Sequence, residues 1–171
     1  MIFKDEENIK GHLKIYGKHK SGLIKEIHSD FNVILDSHRG SLPNITALDP
    51  DNDEDIITAV KSIIPKYIHL DNSGVYLNGD GDEVIKSPVL TDRIDTEEEN
   101  YYMQEITNRS LGEEYNTAIF TSVVDTDSAN GRKFSRAMLS AEDETPLALK
   151  CFGEIPKKRD WELIFEWHIY Y

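Results

Sequence analysis

Residues 161–170 read WELIFEWHIY. Trp161, Leu163, Phe165, Trp167 and Ile169 take every second place, with Glu162, Ile164, Glu166, His168 and Tyr170 between them. Side chains of a β-strand point alternately to its two faces, so this spacing sets one apolar row against a core and one mixed row outside. Tryptophans repeated so regularly are read as packing.

The same reading extends upstream. TAIFTSVV (117–124), RKFSRAMLS (132–140) and PLALKCF (146–152) are rich in β-branched and apolar residues and separated by short polar stretches. Together with 161–170 they predict a C-terminal four-stranded antiparallel meander. IKGHLKIY (9–16) alternates as a half-buried strand does. YIHL, VYL and EVI, divided by Asn-Ser-Gly and Asn-Gly turns between Tyr67 and Lys86, predict three more short strands. Residues 21–36, SGLIKEIHSDFNVILD, fit either a short helix capped by Ser21 followed by a strand at Phe31 to Leu35, or two strands.

Two stretches carry helix signals. In LDPDNDEDII (48–57), Asp49 as N-cap puts Pro50 at the first helical position and fills the first turn with acids that complement the helix dipole. Ile56, Ile57, Val60, Ile63 and Ile64 then fall on one helical face, and Pro65 ends it. In DRIDTEEENYYMQEITNRSLG (92–112), Thr96 and Glu99 have capping-box spacing, and Gly112 can close the helix. The expected fold class is therefore α+β: antiparallel sheet with two or three helices. A single domain over 1–171 is expected, with room for lobes at 1–90 and 91–171 sharing a core.

Charge narrows the function. Nineteen Lys and Arg stand against 32 Asp and Glu, a net of -13. Residues 1–85 carry 15 acids and 9 bases and residues 86–171 carry 17 and 10, so no basic domain is masked by an acidic tail. Such a surface repels nucleic acid and anionic membranes and attracts cationic partners. Cys151 is the lone cysteine, which excludes an internal disulfide. The N-terminus lacks the apolar run of a signal peptide and no stretch has membrane-helix length, so a soluble, cytoplasmic protein is expected.

Motifs for chemistry are sparse. No window beginning at Asp49, Asn78 or Asp125 has the glycine and glutamate of a calcium loop. The six histidines lack HxxxH spacing, GxSxG is absent, and Cys151 shares an apolar strand face with Leu147 and Leu149. No cofactor or metal is expected. Glu162, Glu166 and His168 on the outer face of the last strand are the best candidates for acid–base chemistry, against the plainer reading of cross-strand pairs with Arg132 and Arg136.

The acids themselves are the remaining signal. Asp80, Asp82 and Glu83 form one cluster and Asp92, Asp95, Glu97, Glu98 and Glu99 another, the latter beside Tyr101 and Tyr102 in ENYYMQE; Asp51 to Asp55 and Glu142 to Glu144 are further runs. In its acid excess, its α+β reading, its tyrosines beside acids and its want of a catalytic motif, the chain resembles the small acidic immunity proteins encoded beside bacterial antibacterial toxins, including those of contact-dependent growth inhibition systems. The resemblance implies a non-enzymatic inhibitor that binds a cognate basic toxin domain such as a nuclease, without contacting nucleic acid or membrane. Asp80, Asp82, Glu83, Asp92, Asp95, Glu97, Glu98, Glu99, Tyr101 and Tyr102 are the expected contact residues. Two alternatives belong to other classes: an acidic mimic of nucleic acid that uses the same acids to inhibit a DNA-binding protein, or a small enzyme built on Glu162, Glu166 and His168.

Overall fold

The computed structural model describes residues 9–35, 48, 51–89, 91–113 and 116–171. Eleven strands and one helix occur among them: β1 (Lys10–His19), β2 (Ile24–Ile34), α1 (Asp53–Lys61), β3 (Tyr67–Asp71), β4 (Val75–Leu77), β5 (Glu83–Ile85), β6 (Tyr102–Glu105), β7 (Asn108–Leu111), β8 (Thr117–Val124), β9 (Lys133–Ser140), β10 (Pro146–Pro156) and β11 (Trp161–Tyr170). Nine strands form one antiparallel sheet in the order β6-β3-β9-β10-β2-β1-β11-β8-β7, and β4 and β5 form a separate hairpin.

Only Ile106 and Thr107 separate β6 from β7, yet these strands lie at opposite ends of that order. The Ile106 N–H donates to the Lys66 carbonyl at 2.9 Å, and the Thr107 N–H donates to the Thr121 carbonyl at 2.8 Å. One stretch of chain thus serves both ends of the sheet and curls it into a barrel.

The interior is packed with side chains. Leu13 and Ile15 of β1, Ile68 and Leu70 of β3, Phe120 of β8, Phe134 and Leu139 of β9, Phe152 of β10 and Leu163, Phe165, Trp167 and Ile169 of β11 share one buried cluster. The row Leu13, Trp167 and Phe120 runs straight across β1, β11 and β8. Apolar alternation on three adjacent strands faces the same way, so the register is fixed by burial.

This architecture corrects the α+β expectation. The fold is mostly β, with one helix among the described residues. Residues 92–101 run as turns and irregular chain, and β6 and β7 occupy the rest of the stretch expected to be helical. Tyr102 packs toward the core against Phe134, and Met103 and Gln104 ladder onto β3, so tertiary pairing overrides the capping signal. The helix that does form starts later than expected: Asn52 is its N-cap, accepting from the Asp55 N–H, while Asp49 and Pro50 lie outside the described residues. Its flank carries no fully buried residue.

The strands of the expected meander are present but not in meander order. β8 pairs with β11 and β7, and β10 pairs with β9 and β2. Of the three strands expected after Tyr67, β4 and β5 pair with each other while β3 joins the barrel. Residues 24–34 resolve the ambiguity of the second segment as one strand. No helix among the described residues is long and apolar enough to cross a membrane.

Candidate functional site

The chain leaves the barrel after β3 and returns in β6, the strand paired beside it. The intervening excursion, 72–101, carries the β4–β5 hairpin and is mounted over the outside of β9 and β10. Its base is tied by Glu98, whose carboxylate accepts from the N–H groups of Asn72 (3.3 Å) and Asn100 (2.9 Å) and from the Asn100 amide (3.1 Å). Gly74 lies so close to the Ser135 carbonyl that any Cβ there would collide with backbone. Ile94 caps a small outer cluster of Leu35, Met138 and Leu149.

Every acid of the first two clusters sits on this excursion. Their local roles differ. Asp82 and Asp80 follow a tight turn in which the Asn78 side-chain oxygen accepts both of their N–H groups. Glu83 accepts from the Glu154 N–H at 3.4 Å. Asp92 closes its own loop by accepting from the Val89 N–H, and Asp95 accepts from the Glu97 N–H. Glu98 is the structural tie just described. Among the described residues, none of Asp80, Asp82, Asp92, Asp95, Glu97 or Glu99 is in an ion pair, and Lys86 and Arg93 are the only bases of the excursion.

The two tyrosines expected as contacts are engaged with the barrel. The Tyr101 hydroxyl bonds His69 Nδ1 at 2.9 Å, and Tyr102 bonds Gln104 and lies beneath the Arg132 guanidinium. Arg132 also donates to the Tyr101 carbonyl. The free apolar groups of this region are others: Tyr76 is 50% exposed and Leu77 72%, with Ile85 and Val89 also open, beside Asp80 and Asp82. A two-stranded ribbon with no further partner leaves such residues uncovered, and the short isolated runs VYL and EVI are the signal that could have found them.

A second candidate lies on the outer face of β11. Glu166 Oε1 and His168 Nε2 are 2.6 Å apart, as an acid–base pair requires. Glu162 is not part of it, being paired with Lys18 at 3.1 Å. The neighbours of β11 are β1 and β8, so Lys14 faces Glu166 and His12 faces His168. Arg132 and Arg136, the partners expected for this face, lie elsewhere; Arg136 forms a two-pronged bond with Asp71, whose side chain is fully buried. The His12 ring, stacked on Phe31, is held below the usual imidazole pKa by burial and then by the Lys14 charge. A groove of about 400 Å³ passes His168, Tyr170, Lys14, Thr117 and Ile119.

Other reactive residue types are sealed. His69 Nε2 meets Ser140 Oγ at 2.8 Å, but Ser140 is completely buried and no substrate reaches it. Burial pushes the Cys151 thiol up to about 11, so it is protonated at neutral pH. At the turn that follows β8, the buried ammonium of Lys157 donates to Asn130 Oδ1 at 3.1 Å and lies near the carboxylates of Asp125 and Asp127. Among the described residues no three His, Cys, Asp or Glu side chains gather as a metal would need. Comparison of the chain with protein-family models, with curated proteins and with solved structures found no match.

Proposed function

We propose that the chain is a protein-binding inhibitor that neutralises a basic partner, a toxin domain such as a nuclease, through its 72–101 excursion. One observation carries this reading: carboxylates without ion-pair partners and open apolar side chains stand together on the β4–β5 hairpin and the loop behind it. Acids of that kind steer a cationic partner and raise its association rate by roughly 10 to 10³-fold. Tyr76 and Leu77 supply the desolvated anchors from which affinity is drawn. Acids at separate turns serve this role better than nucleic-acid mimicry, which needs rows of charge at phosphate-like spacing.

The test is affinity capture from the native lysate at low salt, with the wild type and the Asp80→Asn, Asp82→Asn, Glu97→Gln, Glu99→Gln variant as parallel baits. One stoichiometric basic protein held by the wild type alone, with an association rate that falls steeply with salt, is the expected result. The same retention by both baits, or a rate indifferent to salt, removes the proposal.

The bonded pair Glu166 and His168 beside its groove supports a second reading, acid–base catalysis. Glu166→Gln and His168→Asn would each abolish such an activity. An activity that survived both would eliminate it.

A further inference from the structure

β2 and β10 are neighbours in the barrel, but they pair only at Ala148↔Ile34 and Leu149↔Val33. From there the strands diverge. Register with β1 puts Asn32, Asp30 and His28 of β2 on the inner face, opposite Gly11, Leu13 and Ile15. Apolar burial cannot draw β10 against such a row. Two side-chain contacts bridge the narrow part of the split: Asp30 Oδ2 to Lys150 Nζ at 2.7 Å, and the His28 ring against Phe152 at 5.6 Å between centroids. Past them the wall stays open as a cleft of about 210 Å³.

The floor of the cleft is apolar and its rim is charged. Ile27, Ile155, Trp161 and Leu163 line the floor, and Lys25 and Lys158 stand at the rim. Four lysines close by are paired, Lys18 with Glu162, Lys20 with Asp160, Lys133 with Glu154 and Lys150 with Asp30, and Lys157 is buried and donates to Asn130 Oδ1 and to the Lys158 carbonyl. Lys25 and Lys158 are in no ion pair among the described residues, on a protein whose net charge is -13. The cleft's carboxylate, Glu154, is turned to Lys133 at 2.8 Å and to the Asn72 amide at 3.0 Å.

We infer that this cleft binds a compact amphiphilic carboxylate, its anionic head between Lys25 and Lys158 and its apolar body against Trp161 and Ile155. Size decides between this and larger occupants. Sites for drug-sized ligands occupy about 300–1,000 Å³, so the cleft suits a smaller molecule. An inserted peptide strand would need the whole split, and the Asp30–Lys150 pair and the His28–Phe152 contact cross its narrow part. The apolar floor gains by excluding water, and the two ammonium groups at the rim give charge-assisted hydrogen bonds to a carboxylate.

The probe is octanoate below its micelle concentration, compared with octanol at equal concentration. Binding is read from the indole N–H resonance of Trp161 and from calorimetry of the full chain. Octanoate is expected to shift that resonance saturably and to bind the Lys25→Gln, Lys158→Gln variant about tenfold more weakly, while octanol binds both proteins alike. Both lysines are exposed, and a far-ultraviolet spectrum verifies that the variant folds. Three results would overturn the inference: no saturable shift with octanoate, equal affinity for the charged and uncharged probes, or equal octanoate binding by wild type and variant. A Trp161→Phe protein that keeps full octanoate affinity would also relocate the site and so defeat it.

Discussion

The two flanks of the β1–β2 hairpin face different fates. β1 meets β11 in an unbroken ladder from Lys10↔Tyr170 to His19↔Trp161, whereas β2 meets β10 at two positions and then parts from it. Both flanks belong to one sheet and obey the same hydrogen-bonding geometry. They differ in what their inner faces carry: Leu13, Ile15 and the β11 row on one side, and Asn32, Asp30 and His28 on the other. Backbone pairing alone does not close a barrel wall. A ladder zips where each added pair also removes apolar surface from water, and it stops where polar side chains take the inner positions.

The sharpest way to break this comparison is to truncate one aromatic residue from each flank. Trp167, fully buried at the centre of the β11 row, should cost about 3–5 kcal/mol when replaced by Ala. Phe31 on β2 is 63% exposed, and Phe31→Ala should stay within about 0.5 kcal/mol. Urea unfolding of both variants measures the contrast, and a cost for Phe31 approaching that of Trp167 would mean that β2 is held as tightly as β1.

That contrast also explains what could be read in advance. β8 and β11 match the runs TAIFTSVV and WELIFEWHIY end to end, because apolar alternation reports burial on one face directly. Which strands become neighbours was not legible. β1 and β11 lie far apart in sequence, and nothing in either run names the other. The 92–112 stretch misled because a capping box is a local signal, while Tyr102 and Ile106 are claimed by the core. Of the contact residues expected on the excursion, most of the acids stand at its surface, but Tyr101 and Tyr102 are spent on the barrel and the open groups are Tyr76 and Leu77.

Acid should strain the barrel's closed part through His69. This imidazole sits between Tyr101 and Ser140, and burial keeps its pKa below the usual 6.5. The unfolded chain therefore takes up its proton first as pH falls, so the stability this group contributes is complete above about pH 6.5 and declines below it toward the folded value. One group changes stability by at most about 1.4 kcal/mol per pH unit. His12 and His28 are lowered as well and add to the same slope. His69→Gln should flatten the pH dependence of stability between pH 7 and pH 5, and an unaltered slope would show that His69 is not buried neutral.

A smaller effect sharpens the comparison from the other side. If polar inner positions keep the wall open, the Asp30→Val, Lys150→Ile double variant should extend the β2–β10 ladder and gain about 1 kcal/mol. Amide exchange of Lys25 to Phe31 should slow in that variant, while the amides of β1 remain as protected as before. Unchanged exchange in β2 would mean that something other than side-chain polarity holds the split apart. Smallest of all, Asp80→Asn with Asp82→Asn should leave stability within about 0.5 kcal/mol, because both side chains are exposed and unpaired.

The pairing of Lys10 with Tyr170 also sets a schedule. During synthesis β1 must wait for a strand that leaves the ribosome 160 positions later, an interval of roughly 8–30 s at 5–20 residues per second. Throughout it the β1–β2 hairpin holds one long unpaired edge beside β1. The nascent chain is thus most exposed to strand-for-strand association with its neighbours on a polysome, and a chaperone able to cover β1 would act before β11 arrives.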